Sequence, residues 1–228
     1  MTARQLAFDL PVRPALGRSD YFVSPTNKLA LAQIDTWPAW PEGRMALAGP
    51  AGSGKTHLAH VWAAEAGARI LHVNDLDDLS LEAVAGDANF VLEDADGVAG
   101  RDGRQEVLFH LCNHLRANGG SLLLTAREAP GEWGLTLPDL ESRLRVAGVA
   151  WLTPPDDALL AAVLVKLFAD RQVEVAPELI RYLVPRMDRS IAAAESLVAA
   201  LDRRALELKR PVNVYLASEF LRAGDGAG

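Results

Sequence analysis

The sequence predicts an α/β domain built on a mostly parallel five-stranded sheet, followed by a small helical domain. Three features predict it. From residue 21 onward, short apolar runs alternate with amphipathic stretches, the pattern of strands joined by helical crossovers. A glycine-rich segment, Gly49-Pro50-Ala51-Gly52-Ser53-Gly54-Lys55-Thr56, lies between one apolar run and the first clear helix. Beyond Pro154-Pro155 no strand pattern returns, and the remaining apolar residues fall at helical spacing.

Taken in order, strands are expected at 45–48, 70–73, 90–93, 121–125 and 149–152. Helices are expected at 55–66 and 104–117. In the second of these, Val107, Leu108, Leu111, Cys112 and Leu115 share one face. A short helical stretch just precedes Arg143 and Arg145. After the paired prolines, Asp156-Asp157 supply N-cap chemistry for a helix reaching about residue 172. Further helices follow near 177–185, 190–209 and 214–222. The expected organisation is an irregular, flexible tail at 1–18, an α/β nucleotide-binding domain at 19–155 and a helical domain at 156–228.

Composition narrows the classes. The 228 residues suit one domain with a smaller companion, and 50% hydrophobic with 23% charged residues excludes a disordered or collagen-like chain. A single cysteine, Cys112, excludes an intramolecular disulfide framework, and no charged-then-apolar leader opens the sequence, so a cytoplasmic setting is expected. No apolar stretch approaches the roughly 20 residues of a membrane-spanning helix, so no membrane role is expected. A net charge of −7 argues against a broad basic face for coating nucleic acid.

The glycine-rich segment fits G-x-x-x-x-G-K-[ST] in the context that motif requires, after a strand and before a helix. Its glycines let backbone N–H groups converge on phosphates, and the helix N-terminus adds partial positive charge. Lys55 reaches the outer phosphates and the Thr56 hydroxyl can ligate Mg²⁺, so the expected cofactors are ADP or ATP with Mg²⁺. Such a loop needs an acidic partner at the end of a neighbouring strand. Asn89-Phe90-Val91-Leu92-Glu93-Asp94 is an apolar strand ending in two carboxylates, and spacing leaves open which one meets the metal. His110 and His114 flank Cys112 at helical spacing, but no third and fourth ligand accompany them, and no hydrolase motif is present.

The order of these pieces resembles the AAA+ family, and within it the DnaA branch of bacterial replication initiators. The resemblance runs from Tyr21 to Leu221. Tyr21-Phe22-Val23-Ser24-Pro25-Thr26-Asn27 is similar to the box preceding the DnaA P-loop, and Gly54-Lys55-Thr56-His57-Leu58 to the P-loop itself. Gln105-Glu106-Val107-Leu108-Phe109-His110-Leu111-Cys112-Asn113 is similar to the helix after the second acidic strand. Leu140-Glu141-Ser142-Arg143-Leu144 resembles the arginine-finger box, and Met187-Asp188-Arg189 the second sensor. The resemblance implies a three-layer P-loop domain with a helical lid. It implies nucleotide contacts from Phe22, Asn27, residues 49–57 and Arg189, a first-sensor role for Thr125, and an Arg143 that reaches a neighbour's γ-phosphate.

The tail adds Gln5-Leu6-Ala7-Phe8-Asp9-Leu10, which is similar to the peptide that docks on the replicase sliding clamp. In such peptides Leu and aromatic side chains fill an apolar groove and the glutamine bonds at its edge, here Leu6, Phe8, Leu10 and Gln5. Within these 228 residues no basic helix-turn-helix follows the helical domain, so sequence-specific DNA binding is not expected. Together these features resemble the Hda-type regulators, which act with DNA-loaded clamp on DnaA to promote hydrolysis of its ATP and so restrain initiation. Two departures from the DnaA pattern matter. Glu93 rather than aspartate leads the acidic pair, and Thr125-Ala126-Arg127 replaces a run with a small polar residue and an acid. Weak or absent intrinsic hydrolysis is therefore expected, with DnaA and the clamp as partners and a homo-oligomer admissible. The rival reading is an autonomous DnaA-like or helicase-loader-like ATPase acting on DNA.

Overall fold

A computed structural model describes residues 22–80, 82–84 and 86–225 of the chain. The tail carrying Gln5, Leu6, Phe8 and Leu10 lies outside the described residues. Five strands form one parallel sheet: β1 (Arg44–Ala48), β2 (Arg69–His72), β3 (Asn89–Glu93), β4 (Ser121–Ala126) and β5 (Gly148–Trp151), in the order β2-β3-β4-β1-β5. Each strand boundary lies within one residue of the sequence expectation. β1 and β4, inside the sheet, are buried along their whole length, which is why they read as continuous apolar runs rather than alternating ones.

Around the sheet lie α1 (Lys28–Ile34), α2 (Lys55–Ala66), α3 (Asp102–Asn118) and α4 (Pro138–Arg145). The pleat sorts strand residues between two cores. Phe90, Leu92, Leu122 and Leu124 pack with Leu108, Leu111 and Cys112 of α3, whereas Val91, Leu123 and Leu47 pack with Leu58, Ala59 and Trp62 of α2. The result is a three-layer sandwich. Each fully buried leucine or phenylalanine contributes on the order of 1.5–3 kcal/mol. Gln105 is a buried polar residue of α3. Its Oε1 accepts from the Thr136 and Leu137 N–H groups at 2.9 and 3.0 Å, tying the loop before α4 to α3.

After β5 come α5 (Asp157–Asp170), α6 (Pro177–Leu183), α7 (Ile191–Leu208) and α8 (Val214–Asp225). The starts of α5 and α7 follow from side-chain caps: Asp156 Oδ1 accepts from Leu159 N–H at 2.7 Å and Ser190 Oγ from Ala193 N–H at 3.0 Å. They share a separate core centred on Leu160, Leu164, Phe168, Leu183, Val198 and Leu201. The sequence set Arg143 just after a short helix; the structure puts it in the last turn of α4, because Leu140 and Leu144 on either side both face the core. Among the described residues no helix is long and apolar enough to cross a membrane.

Candidate nucleotide site

The phosphate loop leaves β1 at Ala48 and enters α2 at Lys55. Its first residue is tied to the sheet by Gly49 N–H donating to the Ala126 carbonyl at 3.2 Å. At Gly52, φ is +73° and a side chain would overlap Cβ of Ser190, the cap of α7. Only glycine lets the loop and the helical part approach so closely. Lys55 Nζ donates to the Gly49 and Pro50 carbonyls at 2.7 and 2.9 Å. Burial pushes the Lys55 pKa below its ordinary value. Asp94 and Asp96 pull it back up, and the Arg127 charge pushes it down again.

A recess of about 440 Å³ opens beside the loop. Ala51, Gly52, Gly54, Lys55, Thr56, His57 and His60 line it from the loop and α2; Asp94 and Arg127 line it from the ends of β3 and β4. Ile191, Ala192 and Glu195 of α7 close the opposite wall. Ser53 is buried too, and its hydroxyl has no hydrogen-bond partner among the described residues.

The two carboxylates at the end of β3 diverge. Asp94 adopts a left-handed conformation with φ +52°, and its N–H donates to Thr125 Oγ1 at 3.1 Å. His72 Nδ1 accepts from Asn74 N–H, so the ring hydrogen sits on Nε2 and is donated to Asp94 Oδ2 at 3.2 Å. Thr125 and His72 thus orient the acid that faces the recess. Glu93 does not line the recess; its Oε1 lies 3.6 Å from His60 Nε2, and both of these buried atoms lack a hydrogen-bond partner among the described residues. Thr56 and Asp94 offer one hydroxyl and one carboxylate at the recess, a donor set that fits Mg²⁺ shared with nucleotide phosphates.

Other residues singled out from sequence sit elsewhere. Asn27 is buried and organises its own loop, accepting from Ser24 N–H at 2.8 Å and donating to the Phe22 carbonyl at 2.9 Å; Phe22 is exposed. Neither lines the recess. Arg189 pairs with Asp157 Oδ1 at 2.7 Å and does not line it either. Arg143 lies in a different hollow, with Glu42, Arg44, Arg116 and Asp139. Its guanidinium stands over the Phe109 ring at 5.1 Å, and its carbonyl accepts from Arg44 Nη1 at 2.9 Å. Arg44 begins β1 and the phosphate loop follows its end, so the strand separates the two places by roughly 13 Å.

The sequence reading missed His60 and His72. His60 lies four residues after Thr56 on α2, a spacing that puts both on one helical face. His72 is the register partner of Glu93, visible only once β2 and β3 are paired.

No protein-family model matches the chain. In sequence it is 25% identical over 232 residues to the chromosomal replication initiator protein DnaA of Thermomicrobium roseum, covering 90% of this chain and 49% of that protein. The chain spans half or less of the length of the curated relatives it matches. In structure it resembles domain III of the Thermotoga maritima DnaA, with a TM-score of 0.79, 20% identity, and coverage of 94% of this chain and 98% of that one. It also resembles a DnaA structure bound to AMPPCP and single-stranded DNA, with a TM-score of 0.68, 18% identity, and coverage of 84% and 66%. The chain is similar to DnaA in sequence and has the fold of DnaA domain III.

Proposed function

We propose that the chain is a nucleotide-binding regulator of the Hda type: it holds ADP or ATP at Lys55 and Thr56, and it lends Arg143 to the ATPase site of a DnaA partner. One observation carries this reading. Arg143 sits in a hollow at the start of β1, away from the chain's own phosphate loop, and that separation supports a role for its guanidinium at a site on another molecule. Such trans-acting arginines accelerate phosphoryl transfer by stabilising charge on the γ-phosphate. AMPPCP on the DnaA neighbour supports nucleotide binding at the corresponding fold position.

The intrinsic site supports slow turnover. Of the two carboxylates, Asp94 alone faces the recess, and Glu93 is held towards His60. ADP bridging the loop and α7 would fix the angle between the α/β layers and the helices beyond β5. The segment with Gln5, Leu6, Phe8 and Leu10 would tether the protein to the sliding clamp, raising its local concentration near DnaA in the cytoplasm, at the nucleoid. The test is hydrolysis of ATP preloaded on the cognate initiator. Acceleration that needs both this chain and DNA-loaded clamp supports the proposal; none, under conditions where the clamp binds, refutes it.

The second reading, an autonomous DnaA-like or helicase-loader-like ATPase on DNA, is favoured by the similarity to DnaA over 90% of the chain and by the DNA-bound neighbour. It predicts ATP turnover by this chain alone when single-stranded DNA is added, with binding that weakens steeply as salt rises.

A further inference from the structure

Arg127 stands where the DnaA pattern carries an acid, so the local charge is reversed. It follows β4 directly and lines the phosphate-loop recess. Its backbone is fixed by donation from its N–H to Asp96 Oδ2 at 3.1 Å. The side chain is exposed, and among the described residues its guanidinium makes no hydrogen bond and no ion pair. A guanidinium is permanently charged and carries five donors in a planar fork suited to phosphate oxygens.

Charged groups of both signs surround it. Lys55 stands across the recess and is half-buried, with its pKa pushed down by burial and then by Arg127, against the pull of Asp94 and Asp96. Asp94 is engaged by His72, Asp96 accepts from the Arg127 backbone, and Glu195 lies on the α7 wall. Two cations thus line one hollow beside a glycine-rich loop. The arginine that the family resemblance assigns to this chain's own phosphates, Arg189, is meanwhile paired with Asp157 outside the hollow.

We infer that Arg127 contacts the outer phosphates of a nucleotide bound in this chain's own recess, the cis role that the resemblance gives to Arg189. This rests on the reading that the recess binds nucleotide. Its side chain reaches the phosphates together with Lys55 and makes affinity depend on phosphate number.

The experiment measures equilibrium binding of AMP, ADP and ATP to the full chain by competition against a fluorescent ADP. Wild type, Arg127→Ala, Arg127→Lys, Arg189→Ala and Lys55→Ala are compared. Because the Arg127 guanidinium makes no hydrogen bond or ion pair among the described residues, its variants are expected to keep the wild-type melting temperature without nucleotide. Loss of charged hydrogen bonds to phosphate weakens ADP and ATP by roughly tenfold or more in Arg127→Ala. AMP is nearly unaffected, Arg127→Lys is intermediate, and Arg189→Ala stays within about twofold. Wild-type affinity for ADP and ATP in Arg127→Ala, or an equal loss for AMP, overturns the inference. If Lys55→Ala abolishes ADP binding while Arg127→Ala does not weaken it, the inference alone fails. If wild type binds no nucleotide, or Lys55→Ala binds as wild type does, the nucleotide reading fails with it.

Discussion

The Ile191 N–H donates to the Gly52 carbonyl at 3.0 Å, fastening the first turn of α7 to the middle of the phosphate loop. A nucleotide seated in the recess would meet Ile191, Ala192 and Glu195 of that helix. Under the proposed function, this contact would be the route by which bound phosphate sets the position of α7.

Gly52→Ala tests that contact. The left-handed backbone alone costs about 1–2 kcal/mol, and overlap with Ser190 adds to it. The variant is expected to unfold at lower urea concentration and to bind ADP more weakly than wild type. Pairing it with Ser190→Gly relieves the overlap but not the backbone cost, so recovery is partial.

The divergence of Asp94 and Glu93 predicts unequal substitutions. Asp94→Asn removes the carboxylate at the recess and is expected to weaken Mg²⁺-dependent ATP binding by roughly tenfold, while Mg²⁺-independent ADP binding changes less. Glu93→Gln leaves the recess intact and stays within about twofold. Titrating Mg²⁺ at fixed ATP separates the two.

Much of this was legible in the sequence, for reasons that differ by residue. Strands such as 90–93 and 121–125 are buried on both faces, so their apolar runs are unbroken, and the loop 49–56 must carry glycines to approach phosphate. The relation of Asp94 to Glu93 was not legible, since a left-handed residue at the end of β3 and a histidine from β2 decide which acid faces the recess. Nor was the place of Arg189, whose partner Asp157 lies more than thirty residues earlier, at the start of α5. Arg127 was visible as a departure from a pattern, but its position beside Lys55 depends on β4 lying between β1 and β3.

Burial pushes the Cys112 thiol from 9.0 up to about 11, with Arg44 and Arg143 pulling weakly the other way. The folded protein thus holds this proton more tightly than the unfolded chain. Its stabilising contribution is complete below about pH 9 and is lost as pH rises towards 11. Cys112 should not react with a disulfide reagent at pH 8 in the native protein and should react fully in denaturant. Urea midpoints measured from pH 8 to 10.5 should fall in wild type more steeply than in Cys112→Ala.

The proposed tether separates cleanly from the nucleotide site. Replacing Leu6 and Phe8 by alanine is expected to abolish binding to immobilised sliding clamp while leaving ADP affinity and melting temperature unchanged. Clamp binding that survives the double substitution would remove the tail from the proposal.

The most direct test of the central claim is the rate of ATP hydrolysis by preloaded initiator, with DNA-loaded clamp and ADP-bound protein, comparing wild type with Arg143→Ala at matched concentration. The account predicts that Arg143→Ala retains wild-type ADP affinity and clamp binding but loses stimulation by about a thousandfold, the scale of a trans-acting arginine. Equal stimulation by the variant would contradict it.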